Sequence, residues 1–441
     1  MRSPRIFIGF ENVAGYASML QKGFHKHGVQ CDLFTRSIHK FAYQTVNQNP
    51  MVLLFQRVFQ LYKKLYQSES KVVKSCGYLI DIFAITPFFI HAIFKYDVFI
   101  FPYKACFYQF LGFMDLPILK LFKKKLIFIF HGTDARPPYI NGAFLSKRGI
   151  IGTTGLNLDN GKLKILHKRT QKWKNDIRTI ERYADVIINN PPTSHFHEKP
   201  VVSFLRIGIP YEDKNVSSTK RNLHPEETII LHSPSNPAAK GTETIRQAIQ
   251  SLKDKGHAIN YIELINQPNS VVLENLAHCD FIVDQVYTTN PMPGFVTEAA
   301  AFGKPAVICG YFHHLIHKIL PPHKIPPSHY LHPDEIEAAI ERLIVDKAYR
   351  TGLGQQAKAF LIKHWRYDKV AQRYLRLIGD DIPDKWRYNP YDITYIHGGC
   401  LSEKNARAVI KALVRVYGKQ ALYLSDKPEL EKQFLAFMDA A

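Results

Sequence analysis

Short, unbroken apolar runs, separated by polar loops and amphipathic stretches, set the rhythm of this chain. Residues 5–10 pass from Arg5 through Ile6, Phe7, Ile8 and Gly9 to Phe10 with no polar alternation. A strand buried on both faces requires that pattern. A loop of polar and small residues follows, then residues 16–27 carry Met19, Leu20 and Phe24 at helical spacing. Gly28 supplies a helix stop and residues 29–34 resume a strand. The segment predicts a β-α-β unit. Further strand-like runs stand at 97–101, 125–130, 185–189 and 201–205. The alternation predicts a parallel sheet with helices on its faces.

A turn-rich polar stretch at 208–225 reads as a linker and hinge. Beyond it, strands are predicted at 228–232, 259–264, 281–284 and 306–309, with helices at 242–253 and 333–344. A helical stretch spans 349–377. The tail after Gly379 reads as strand, helix, strand, helix at 393–396, 403–417, 421–424 and 428–438. The expected division is a Rossmann-like domain at 1–210, a linker at 211–226, a second such domain at 227–362, a helix returning to the first domain at 363–378, and an extension at 379–441. The fold class is α/β: two parallel-sheet domains facing a cleft, plus a small C-terminal α/β extension.

Composition narrows the field. The 441 residues carry a formal charge of +20, from 58 Lys and Arg against 38 Asp and Glu. That balance favours acidic partners such as nucleic acid, anionic lipid or phosphorylated substrates without choosing among them. Apolar residues make up 46%, which excludes a disordered chain. No run reaches the roughly 18–20 apolar residues of a membrane span; Asp81, Pro87 and His91 interrupt the stretch at 76–94. The apolar segment at the start is too short for a signal peptide, and the six cysteines form no CxxC pair. A reduced, cytoplasmic setting is the expectation.

Ligands of parallel α/β domains sit at the carboxyl ends of strands, against helix N-termini. After the first strand come Glu11, Asn12 and Gly15, without the GxGxxG of a dinucleotide site. After the strand ending at Phe130, the run His131-Gly132-Thr133-Asp134-Ala135-Arg136 packs an imidazole, a carboxylate and a guanidinium into one short loop. In the second domain Ser235, Lys240 and Gly241 lie between a strand and a helix. A lysine and unpaired N–H groups there suit a phosphate, although the Walker order is missing. Gly294-Phe295-Val296-Thr297-Glu298 opens another helix. Gly294 allows close backbone approach, and Glu298 either accepts hydrogen bonds from a ribose or favours its own helix dipole. Base selection falls to the loop at Leu264, Ile265 and Asn266.

Taken in order, these segments resemble the GT-B glycosyltransferases of the retaining family 4 type. The strongest likeness is Gly294 through Glu298-Ala299-Ala300-Ala301-Phe302-Gly303-Lys304-Pro305 to Val307, similar to the family's Glu-Ala-x-Ala-x-Gly-x-Pro-Val signature. His278-Cys279-Asp280 resembles the strand entry upstream of it, Lys240-Gly241 the lysine-glycine of the diphosphate site, and His131 to Arg136 a His-Gly-Ser/Thr-Asp-x-Arg loop. The likeness spans about residues 5–377. It implies Glu298 on the donor ribose, Lys240 on its diphosphate, the Gly294-Phe295 backbone capping that phosphate, and His131 near the anomeric carbon. Ser235, Gly241, Asn266, Val296 and Thr297 complete the implied donor side. Glu11, Asn12, Gly15, Asp134 and Arg136 line the implied acceptor side.

The resemblance implies a metal-independent hexosyltransferase using a nucleoside diphosphate sugar as substrate, with no cofactor and with retention of configuration. The implied acceptor is a glycan or lipid-linked glycan, in bacterial-type surface polysaccharide synthesis. No DxD motif is present, in keeping with a leaving group held by side chains and helix dipoles. Asn290 stands where the family carries the first of two glutamates, and Ser235-Asn236-Pro237 where many members carry an arginine. The tail beyond Gly379 has no counterpart.

Basic runs at Lys162 to Arg178 and at Lys120 to Lys125, with an amphipathic basic stretch at 55–74, suit an anionic membrane surface or a plain solvated face. Peripheral association with the inner face of the plasma membrane is one expectation. His313, His314 and His317, and His195 with His197, lack the companions of a metal site, so no metal is assigned. No nucleic acid partner is expected, since no RRM, KH or helix-turn-helix pattern is present. Two other readings stand beside the first: a GT-B sugar-nucleotide epimerase, and a non-catalytic binder of nucleotide sugar or nucleic acid.

Overall fold

The apolar runs of the first half become strands with both faces covered. The computed structural model describes residues 3–36, 50–66, 70–152, 155–212 and 226–440. Four parallel strands open the fold: β1 (Ile6–Phe10), β2 (Cys31–Thr35), β3 (Val98–Pro102) and β4 (Lys125–Ile129). Two-residue strands β5 (Ile151–Gly152) and β6 (Gly155–Leu156) pair with each other outside this sheet. β7 (Val186–Asn189) and β8 (Val201–Ser203) then extend it beyond β4. The run expected at 201–205 stops as a strand at Ser203, and Phe204–Ile207 turns into a short helix that buries Phe204, Leu205 and Ile207.

Helices cover both faces. Tyr16–Lys26 ends two residues before Gly28, whose φ of +70° only glycine adopts without strain. Lys71–Lys95 presses Phe88 and Phe89 into a cluster of rings that includes Phe7, Phe34, Phe99 and Phe107, with Phe34 and Phe88 centroids 4.7 Å apart. Such a core gains from ring area and from tilted packing together.

The second sheet is parallel throughout: β9 (Thr228–His232), β10 (Ile259–Glu263), β11 (Phe281–Val283), β12 (Ala306–Cys309) and β13 (His329–Leu331), in the order β10-β9-β11-β12-β13. β13 was not expected from the sequence; it is three residues long and follows a proline-rich stretch. Of the expected linker, residues 213–225 lie outside the described residues. Its first residues meet the returning chain: Tyr211 N donates to Trp365 O (2.9 Å), and Tyr367 N to Tyr211 O (2.7 Å). Tyr367–Ile378 then packs on Tyr16–Lys26, where the Tyr16 and Tyr374 hydroxyls share a buried 2.9 Å hydrogen bond.

The extension differs from its expected pattern. Its helices form at Glu403–Tyr417 and Pro428–Asp439, but 393–396 and 421–424 are not strands. Alternating burial of Ile393 and Tyr395 mimics a strand, yet a side chain satisfies the backbone there: His195 Nε2 donates to Tyr395 O (2.8 Å). Leu422 O likewise accepts from the Tyr139 hydroxyl (3.1 Å). The strand that does form is β14 (Arg387–Tyr388), antiparallel to β8, giving the first sheet the order β14-β8-β7-β4-β3-β1-β2.

The extension braces the two domains. Gly142 N donates to Gly399 O (2.9 Å) on one side, and Cys400 N to Tyr287 O (2.8 Å) on the other. Lys174 and Arg178, part of the basic run expected to be a surface, instead hold Asp426 of the extension. A Cβ on Gly142 would lie 1.5 Å from Cys400 O, and backbone cannot step aside as a side chain can. Gly142→Ala should therefore cost about 3 kcal/mol in urea unfolding and leave the extension open to proteolysis. A cost below about 1 kcal/mol would mean that the contact is dispensable.

Candidate functional site

At the end of β9, Asn236 Oδ1 accepts from Ala239 N (3.2 Å) and starts the short helix Pro237–Lys240. Gly241 follows at φ +74°, its α-carbon so close to Val286 that a Cβ would sit 2.8 Å from that side chain. This turn delivers Lys240 to Asp284, just past β11: Nζ to Oδ1 is 2.8 Å. Asp284 is only 1% exposed, and its Oδ2 has no partner among the described residues. His232 beneath them is satisfied, with Nδ1 donating to Val283 O (2.8 Å) and Nε2 accepting from the Thr242 hydroxyl (2.9 Å). Burial holds its imidazole below the usual range, so it is neutral.

At the same carboxyl edge of the second sheet, a small cavity of about 40 Å³ gathers Ser235, Asn266, Asn269, Phe295 and Glu298. Asn269 Nδ2 donates to Glu298 Oε1 (2.9 Å) and fixes the carboxylate. The helix Gly294–Ala301 points its first turn here, leaving the N–H groups of Gly294, Phe295 and Val296 without intrahelical acceptors. Gly294 also faces the opposite domain, 3.5 Å from Ala14 when a Cβ is built on it. Two of the expected donor residues point elsewhere. Val296 is buried in the core, and Thr297 spends its N–H on Pro293 O (2.8 Å) and its hydroxyl on Met292 O and Pro293 O.

Across the cleft, the His131 ring lies among Tyr16, Tyr103 and Phe204, with centroids 5.5, 6.3 and 5.7 Å away. Its Nε2 is buried with no partner among the described residues. Burial lowers its pKa to about 4. Asp134 supports the loop: Oδ1 accepts from His131 N (2.8 Å), and burial raises its pKa to about 6. Asn12 is committed to the start of the first helix, accepting from Ala17 N (2.9 Å) and Ser18 N (3.3 Å). Gly15 holds the turn at φ +76°, and Glu11 acts electrostatically on Tyr103.

Arg136 does not line an open acceptor surface. It is buried, donates Nη2 to Thr289 Oγ1 of the second domain (3.4 Å), and lies against Gly399, where a Cβ would come within 2.5 Å of the guanidinium. Asn190 Nδ2 reaches the same threonine, at 3.2 Å from O and 3.3 Å from Oγ1. Asn290, in the place of a family glutamate, accepts from Met292 N (2.9 Å) and shapes its own loop. Sequence reasoning missed Asp284 and Thr289 as members of the site. Asp284 did carry a signal, a carboxylate at the carboxyl end of an apolar run. Of the histidines weighed for metal, His197 Nδ1 pairs with Glu181 Oε1 (2.9 Å) and His195 Nε2 with Tyr395 O (2.8 Å), and among the described residues no group of three metal-ligating side chains converges.

No protein-family model matches the chain, and no curated protein does. Among solved structures, the chain is similar to the catalytic domain of starch synthase IV from Arabidopsis thaliana, bound to ADP and acarbose. The identity is 11% and the TM-score 0.51, over 86% of this chain and 99% of that one. It is also similar to HepE from Anabaena in complex with UDP and glucose, at 11% identity and a TM-score of 0.47, over 86% of this chain and all of the other. Identities this low speak to the fold alone. Two Rossmann-like parallel-sheet domains facing a cleft make this a GT-B fold, and the resemblance read from the sequence holds at that level.

Proposed function

We propose that the chain is a glycosyltransferase that moves a sugar from a nucleoside diphosphate sugar to a glycan or lipid-linked glycan acceptor. The observation that carries this reading is the convergence of Glu298, Asn266 and Phe295 in one cavity at the carboxyl edge of the sheet that also carries the Lys240–Asp284 pair. Phe295 offers a face to a base, Glu298 accepts from ribose hydroxyls, and Lys240 moves from Asp284 to the diphosphate. The N–H groups at the start of Gly294–Ala301 share the charge that grows on the departing diphosphate, where positioned donors lower a barrier most. His131 offers its unpartnered Nε2 to the sugar being transferred. Retention and independence of metal follow from the family likeness.

A lipid-linked acceptor and a peripheral place on an anionic membrane fit the surface of the first domain. No helix among the described residues is long and apolar enough to cross a membrane. Yet Phe83, Ile90 and Phe94 repeat on one face of Lys71–Lys95, and the exposed Met114, Leu121 and Phe122 lie nearby, with Phe94 and Phe122 rings 5.8 Å apart. Lys123 and Lys124 flank them. Of the stretch read as lipid-facing, residues 67–69 lie outside the described residues.

The test is to incubate the protein with UDP-, GDP- and ADP-hexoses and a membrane lipid extract and to follow nucleoside diphosphate release. Release that requires the extract and yields a glycosylated lipid is expected, and product NMR then reads the anomeric configuration. A sugar nucleotide epimerised without any acceptor would overturn transfer in favour of the epimerase. No turnover of any donor would favour a binding protein.

A further inference from the structure

A concentration of positive charge lies away from the site just described. Where the short helix after β8, the loop after β12, the returning helix and the start of the extension meet, a cavity of about 340 Å³ is lined by Arg206, Lys324, Arg373, Arg376 and Lys385. It shares no lining residue with the donor-side cavity, and none of its lining residues is a carboxylate. Among the described residues only Arg376 of these is paired with a carboxylate, Asp381 outside the cavity (2.7 and 3.1 Å), and its guanidinium lies 5.1 Å from the Trp386 ring centroid.

Arg373, Arg206 and Lys324 are held in place by neutral groups. Arg373 donates to Ile207 O and His364 O, each at 2.7 Å, and Arg206 donates Nη2 to Ile319 O (2.7 Å). Arg206 Nε is buried with no partner among the described residues. Among the described residues Lys324 Nζ bonds only to an imidazole, His364 Nδ1, at 3.2 Å. Burial, then Arg373, Lys363, Arg206 and Lys385, lower the Lys324 pKa; His364 is lowered to about 4 by burial and by cations including Lys324. Gathering like charges around a concave, partly desolvated space raises the energy of the empty pocket. A multivalent anion would relieve it.

We propose that this cavity is a second binding site, for a soluble phosphorylated small molecule carrying several negative charges. Its volume falls within the range of small-molecule sites. Guanidinium groups suit phosphate oxygens, and Trp386 with Phe360 gives the cavity aromatic faces for an organic portion. The walls come from both domains, the returning helix and the extension, so an occupant bridges them and binds best to one arrangement of the domains.

Isothermal titration of the full chain with inorganic tripolyphosphate tests this. Wild type should bind, the affinity should fall at least tenfold in Lys324→Gln/Lys385→Gln, and it should stay within twofold in Lys240→Gln, which reports on the donor site. No binding to wild type, equal binding to the double variant, or loss only in Lys240→Gln would overturn the proposal. Phosphatidylglycerol vesicles form the second arm: their binding should be the same for wild type and the double variant. Vesicle binding lost in the double variant while tripolyphosphate binding is retained would overturn the assignment to a soluble ligand.

Discussion

Lys240→Ala should lower turnover by about 100- to 1000-fold, the range seen when one pre-positioned charge partner of a developing anion is removed. The loss should appear in kcat rather than KM alone, because Lys240 meets most charge as the diphosphate departs. The same substitution strands Asp284, which is buried at 1% exposure and already has one oxygen unpaired. Breaking a buried pair from one side costs about 3–5 kcal/mol. The cost here should fall toward the lower end, because the lysine side chain keeps 19% of its surface in water. Lys240→Ala/Asp284→Asn separates the two effects: urea unfolding should recover while turnover stays low. Turnover that recovers with the fold would show Lys240 to be a structural partner of Asp284 and nothing more.

His131→Phe should lower kcat/KM by about 100-fold while leaving the melting temperature unchanged or slightly higher. Phenylalanine fits among Tyr16, Tyr103 and Phe204, and it removes a buried nitrogen that has no partner. The pH profile gives an independent reading. His131 titrates at about 4 in the folded chain against about 6.5 when unfolded, so the neutral form is the working form at physiological pH. Turnover should show no histidine-like step near pH 6.5. Between those values the unfolded chain binds more protons at this residue, so its contribution to stability is full above about pH 6.5 and is lost as pH falls toward about 4. Asp134 acts in the opposite sense. Its pKa of about 6 lies above the usual carboxylate value, so the stability from its protonated form is present at low pH and is lost as pH rises through about 6. His131→Phe should remove the first dependence and keep the second. A variant retaining more than half the wild-type kcat/KM would exclude a role for the imidazole.

Much of the fold was readable because strands buried on both faces must be mostly apolar, as at Ile6 to Phe10 and at Ile229 to Leu231. The loops after them were readable for a related reason, since polar residues placed directly after such a run have little packing work to do. What could not be read depends on partners distant in sequence. Asp284 lies 44 positions from Lys240, and nothing local marks the pair. Arg136 looked like an acceptor contact until Gly399, from the extension, covered it. Thr297 looked like a phosphate ligand because the helix start was recognised before its register was known. The false strands at 393–396 and 421–424 show the limit of short apolar runs as a signal. Ile393, Tyr395, Ala421, Leu422 and Leu424 are apolar because they are buried in the core that the extension shares with the first domain, while histidine and tyrosine side chains take backbone carbonyls that a neighbouring strand would have used.

The proposed function requires a nucleoside diphosphate to lie between Glu298 and Lys240, and thermal unfolding tests that directly. UDP, GDP, ADP and CMP would each be added to wild type and to Glu298→Ala. A ligand at a hundredfold excess over its Kd stabilises the folded state by about 2.7 kcal/mol. One diphosphate should raise the melting temperature of wild type, CMP should not, and Glu298→Ala should lose the rise without melting earlier on its own. If no nucleotide shifts wild type, or if Glu298→Ala responds as wild type does, the cavity that holds Glu298 is not the donor site.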